Sequence, residues 1–97
     1  MLLKEQGRLD EARPLLEEAL AGKRATLGEA HPSTLNSLFC LGALLDAQGE
    51  AAEALRVLEE ALAGYTAALG EAHPSTRNAA AWVESVRKKL RKKLGAL

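Results

Sequence analysis

The octapeptide LGEAHPST occupies residues 27–34 and returns unchanged at residues 69–76, 42 positions later. Working outward, residues 6–34 align on 48–76 without a gap, and 20 of these 29 positions are identical. Self-similarity at a fixed period of this size is the signature of a repeat array, in which each unit buries its apolar face only by stacking on its neighbours. Inside the period the punctuation is helical. Leu35, Leu38, Leu41 and Leu45 keep helical spacing until Gly49, which suits the left-handed position after a helix. Ala54, Leu55, Leu58, Ala61, Leu62, Tyr65 and Leu69 then form one stripe that stops at Gly70. His73 and Pro74 restart the chain, with proline in a first helical turn and Ser75 or its neighbour placed to cap free amides.

Composition agrees. Of 97 residues 47% are apolar, yet the only aromatics are Phe39, Tyr65 and Trp82, so Leu and Ala fill the interior, which favours helices. The fold class expected is all-α: antiparallel helix–turn–helix repeats, about four helices plus an N-terminal stub. The expected elements are the stub, then helices Leu9–Leu27, Pro32–Gln48, Ala51–Leu69 and Pro74–Leu94. Pro14 falls about one turn into the first of these, with a slight bend expected. The chain reads as a single domain: residues 1–28 a partial first repeat, 29–70 a complete second repeat, and 71–97 a basic capping helix.

At these residues the sequence resembles the tetratricopeptide repeat, whose first helix carries large, large–small and large residues and whose second carries Ala, large and Ala. The corresponding positions are Leu38, Leu41, Gly42 and Leu45, then Ala54, Leu58 and Ala61. The 42-residue period and the doubled Leu-Gly-x-x-His-Pro connector are similar to the kinesin-light-chain and nephrocystin-like variety. The resemblance implies that Gly42 and Ala54 let helix backbones approach while the large residues fill the seams. Gly42→Leu is expected to be damaging and Gly42→Ala mild by comparison. It also implies a concave face, lined by the first helices, that holds a peptide. On that face would stand Asn36, Phe39, Ala43 and Asp46, then Asn78, Ala81, Ser85 and Lys88, with Met1 and Lys4 from the stub. Relatives commonly carry asparagine where this chain has Phe39 and Ala81. Asn36 and Asn78 stand nearby.

The formal net charge is zero but divided. Residues 1–76 hold six Lys/Arg and twelve Asp/Glu, a balance of −6, whereas residues 77–97 hold seven Lys/Arg against Glu84 alone, a balance of +6. The run from Arg87 to Lys93 continues an apolar stripe of Val83, Val86, Leu90 and Leu94, so it reads as an amphipathic helix end favoured by the helix dipole. Nucleic acid or an anionic membrane is the weaker reading, because no aromatics are interleaved. In the first long helix Leu15, Leu16, Ala19 and Leu20 form a strip only partly covered by Leu2, Leu3 and the following helix, and self-association through it is expected.

No catalytic constellation is legible, and no cofactor or metal is expected. His31 and His73 occupy equivalent connector positions and cannot converge on one ion. Cys40 has no base beside it and reads as a small buried hydrophobe. Carboxylate pairs such as Glu17–Glu18 lie on polar helix faces. One cysteine, no recognisable leader and no long apolar run give a cytoplasmic compartment as the default. The reading is therefore an interaction or scaffold module rather than an enzyme, with a protein or peptide partner. A self-associating structural element is the alternative.

Overall fold

The computed structural model describes the backbone of residues 2–95 and the side chains of residues 7–95. It contains four helices in chain order: α1 (Leu2–Leu27), α2 (Pro32–Ala47), α3 (Ala51–Leu69) and α4 (Pro74–Gly95). There is no strand among the described residues. The expectations for Met1 and for the side chains of Leu2, Leu3 and Lys4 lie outside the described residues.

The connectors are built by the residues that repeat. Gly28 and Gly70 end α1 and α3 at φ 87° and 88°, a conformation that residues bearing a Cβ avoid. Three residues on, His31 and His73 turn their imidazoles toward the helices that follow. The backbone N–H of Ser33 donates to His31 Nδ1 at 3.0 Å, and that of Ser75 donates to His73 Nδ1 at 3.1 Å. Histidine is thus the N-cap residue, not Ser75. Proline follows it at the position where the missing N–H has no intrahelical use. The α2–α3 turn differs. Gly49 N–H donates to Asp46 O at 3.0 Å and Glu50 N–H to Leu45 O at 2.9 Å, the paired bonds of a Schellman ending.

Two expectations about α1 are corrected. The stub is not separate: the helix runs through Gln6-Gly7-Arg8, although the equivalent Gln48-Gly49-Glu50 breaks the chain. A glycine inside a helix costs only about 1 kcal/mol. Glycine adopts either conformation, and at Gly49 the turn is accompanied by the packing of α2 on α3. Pro14 consequently stands well inside α1 rather than in its first turn.

The helices stack in sequence order. α1 packs on α2, α2 most extensively on α3, and α3 on α4, while α2 and α4 meet only marginally. The radius of gyration is 14.0 Å, against roughly 12.5 Å for a globule of this length, as befits a row of layers. The core is Leu35, Leu38, Leu41 and Leu45 of α2 against Ala54, Leu58, Ala61 and Tyr65 of α3, continued by Ala79, Val83 and Val86 of α4. Leu20 of α1 joins it at 4% exposure, so it belongs to the interior and not to an outer strip. Polar links fasten α1. Lys23 Nζ donates to Ser37 Oγ at 2.8 Å, and Arg13 and Arg24 pair with Glu53 and Glu60 of α3 at 3.1 and 2.9 Å.

The closest approach lies at two glycines. A Cβ on Gly42 would stand 2.6 Å from Leu58 Cδ2 and 2.7 Å from its Cγ, and a Cβ on Gly64 would overlap Leu35. Leu58 is fully buried and cannot swing aside. One methyl on Gly42 already enters occupied space, and the larger side chain of Gly42→Leu intrudes further.

Three stability outcomes follow from these contacts. Gly42→Leu should lose about 1–3 kcal/mol or more, and Gly64→Ala should also destabilise. Gly22→Ala, the same repeat position in α1 but with nothing within 4 Å of the added carbon, should instead gain about 0.5–1 kcal/mol from helix propensity. Urea midpoints of the three variants check this, and equal effects at Gly22 and Gly64 would contradict the packing. Separately, His73→Ala should cost about 1 kcal/mol by removing a cap, and His73→Asn should restore most of it.

Candidate functional site

Because α3 holds α2 and α4 apart, a cleft runs between these two helices. It has two adjoining hollows. One, of about 180 Å³, is lined by Asn36, Phe39, Cys40, Tyr65, Ser75 and Asn78. The other, of about 290 Å³, is lined by Asp46, Asn78, Ala81, Trp82, Ser85 and Lys89. Asn78 borders both.

Aromatic rings join the walls between them. Phe39 of α2 and Trp82 of α4 meet edge to face, with centroids 5.7 Å apart and planes at 83°, a geometry that ring quadrupoles favour. Tyr65 reaches in from α3, and its hydroxyl donates to Asn36 Oδ1. The amide group of Asn36 keeps both N–H donors beyond that bond. At the far end Lys89 Nζ donates to Asp46 Oδ2 at 3.0 Å and Oδ1 at 3.3 Å. That pair links α4 to α2 and fixes the end wall.

Of the residues named from sequence for this face, Asn36, Phe39, Asp46, Asn78, Ala81 and Ser85 line the two hollows. Ala43 and Lys88 line neither: Ala43 is half-buried on α2 and Lys88 is exposed on α4. Cys40, Tyr65, Ser75, Trp82 and Lys89 were not assigned to it. The signal was present for three of them, since Cys40, Trp82 and Lys89 lie four residues after Asn36, Asn78 and Ser85 and so share their faces. For Tyr65 there was none, because a second-helix residue enters this cleft only through the packing of α3. Cys40 is also corrected: its thiol is free and exposed, not buried.

Burial raises the Tyr65 hydroxyl above its ordinary pKa of 10.0, and the nearby Cys40 acts in the same direction. No histidine or carboxylate lines the hollow with Cys40. Among the described residues no three of His, Cys, Asp and Glu gather into a metal-binding group. No described helix is long and apolar enough to cross a membrane.

Other features lie apart from the cleft. A hollow of about 240 Å³ between the end of α1, α2 and α3 is edged by Arg24, whose guanidinium already pairs with Glu60 and Glu29. The basic run is split by its helical geometry. Arg87 pairs with Glu59 at 2.6 Å and Lys89 with Asp46, whereas Lys88, Arg91, Lys92 and Lys93 stand exposed. The acidic body therefore neutralises part of the run within the molecule, though each such surface pair contributes only about 0–1 kcal/mol.

Residues 1–67 match the family model of the tetratricopeptide repeat, across α1, α2 and most of α3. A search of curated proteins found no match.

The raised Tyr65 pKa carries a sign. The folded state holds the proton more tightly than the unfolded state. Its contribution is thus complete below pH 10 and is lost as pH climbs through the folded value. As Tyr65 is the only tyrosine, tyrosinate absorbance reads it directly. The native protein should titrate at higher pH than the protein in urea, and Tyr65→Phe should flatten the matching fall in stability. Coincident titrations would refute the burial of this hydroxyl.

Proposed function

Since the chain belongs to the tetratricopeptide repeat family, we propose that it is a protein-interaction module whose α2–α4 cleft receives an extended segment of a partner polypeptide. The observation that carries this reading is the pairing of two exposed amides, Asn36 and Asn78, with the apolar step of Phe39 and Trp82 along two adjoining hollows. An extended backbone offers alternating carbonyls and N–H groups, and asparagine can answer both. Ala81 is small and admits the chain, the aromatic step takes an apolar side chain, and the exposed Lys88 and Lys92 beyond Ser85 favour an acidic residue at that end.

The kinesin-light-chain-like variety is part of the same proposal. It is supported by the 42-residue period and by the His-Pro connector, whose histidine caps each first helix. The cleft's chemistry differs from that variety in using Asn36 and Asn78, one turn before Phe39 and Ala81.

Trp82 is the only tryptophan and is half-buried in the cleft, so its emission reports occupancy. Peptides selected from a random display library on the whole protein should change that emission. Asn78→Ala should weaken them by about tenfold without moving the melting temperature, and Asn36→Ala should weaken them similarly while also lowering stability, because it leaves the Tyr65 hydroxyl without its acceptor. Selected peptides that bind both variants as tightly as the parent would overturn the cleft as the binding site.

A further inference from the structure

Tyr65 is 3% exposed and its ring belongs to the core, yet its hydroxyl is spent on Asn36, an exposed residue of α2 in the cleft. Among the described residues the hydroxyl has no second hydrogen-bond partner. A core ring thus ends on a side chain that solvent or a ligand can reach.

That bond biases which end of the Asn36 amide faces outward. A free asparagine turns about its Cβ–Cγ bond and presents its oxygen or its NH2 group with little preference. At Asn36 the two orientations are unequal. In the one observed, the hydroxyl donates to Oδ1. Turned over, the amide would set Nδ2 against the phenolic oxygen, a poor acceptor because its lone pair is shared with the ring. The hydroxyl proton would then be buried without an acceptor, which is costly. Burial also keeps that proton in place beyond the ordinary pKa of 10.0, so Tyr65 remains a donor throughout the neutral range.

We propose that Tyr65 is a positioning residue for the cleft, fixing Asn36 as a hydrogen-bond donor so that a ligand must offer a carbonyl oxygen there. The inference rests on the cleft being the peptide site and narrows that reading. An asparagine free to turn would answer a main-chain N–H as readily as a carbonyl, whereas Asn36 held by Tyr65 answers the carbonyl.

The repeat itself does not require tyrosine at this place. Residues 58–64 copy residues 16–22, but the next residue is Tyr65 in α3 and Lys23 in α1. Lys23 sends its Nζ to the buried Ser37 of α2, not to an exposed side chain. A ring without a hydroxyl would fill the core around Tyr65 equally well. What the hydroxyl adds is the orientation of Asn36.

The probe is a peptide selected by display on the whole protein and followed through Trp82 emission. Tyr65→Phe keeps the ring and removes the hydroxyl, and should weaken the peptide about three- to tenfold. In an Asn36→Ala background the same change should weaken it no further, because no amide is left to orient. Asn36→Asp keeps an acceptor for the hydroxyl and withdraws both donors. It should bind about tenfold or more weakly while its melting temperature stays near the parent's. A tyrosine that matters only for packing would weaken binding equally in both backgrounds, and that result overturns the proposal. Full affinity in Asn36→Asp does the same. Sensitivity to Asn78→Ala with none to Tyr65→Phe removes the positioning role and leaves the cleft. A peptide indifferent to Asn36→Ala and Asn78→Ala alike removes both.

Discussion

The distance between α2 and α3 governs the rest of this structure, and two glycines set it. Gly42 lies under Leu58 and Gly64 under Leu35, so each helix gives up a side chain where the other inserts one. Dense interiors tolerate no added carbon at such a contact. The reciprocal arrangement fixes rotation and translation of the pair together. With it in place, Ala54 and Ala61 are fully covered, and the opposite side of α3 presents a surface on which Ala79, Val83 and Val86 of α4 close the core.

The cleft is a by-product of that layering. α3 stands between α2 and α4 on one side, and on the other side the two helices diverge enough to leave room for Asn36, Asn78 and the Phe39–Trp82 pair. Tyr65 spans the layers, contributing a ring to the core and a hydroxyl to Asn36. The Asp46–Lys89 pair ties the far ends together. Interaction chemistry and packing therefore share residues, and substitutions of Tyr65 or Phe39 bear on both. Asn36 also shares in packing through the Tyr65 hydroxyl, whereas Asn78 is exposed and bears on recognition alone.

A stack in which each layer touches only its neighbours makes surroundings as decisive as sequence. The segment from Leu16 to Gly22 is identical to that from Leu58 to Gly64, yet Leu16 is half-buried and Ala19 exposed where Leu58 and Ala61 are sealed. Charge obeys the same logic. Arg87 and Lys89 face Glu59 and Asp46, whereas their neighbours Lys88, Arg91, Lys92 and Lys93 face solvent.

Much of this was written in the chain. The 42-residue repetition, the leucine spacing and the glycine stops determined four antiparallel helices and their packing residues, because a helix needs only local hydrogen bonds and a period that matches its turn. The cleft side of α2 and α4 came from the resemblance to the repeat family, and six of the residues it implied line the two hollows. Tertiary structure alone decided the remainder. Gly7 stays inside α1 whereas Gly49, at positive φ, ends α2, because glycine permits both conformations and its sequence neighbours alone do not choose between them. The imidazole rather than the serine caps α2 and α4, an outcome of rotamer and reach. Cys40 is exposed, Leu20 is buried and Tyr65 enters the cleft because neighbouring helices, not adjacent residues, determine what covers a side chain.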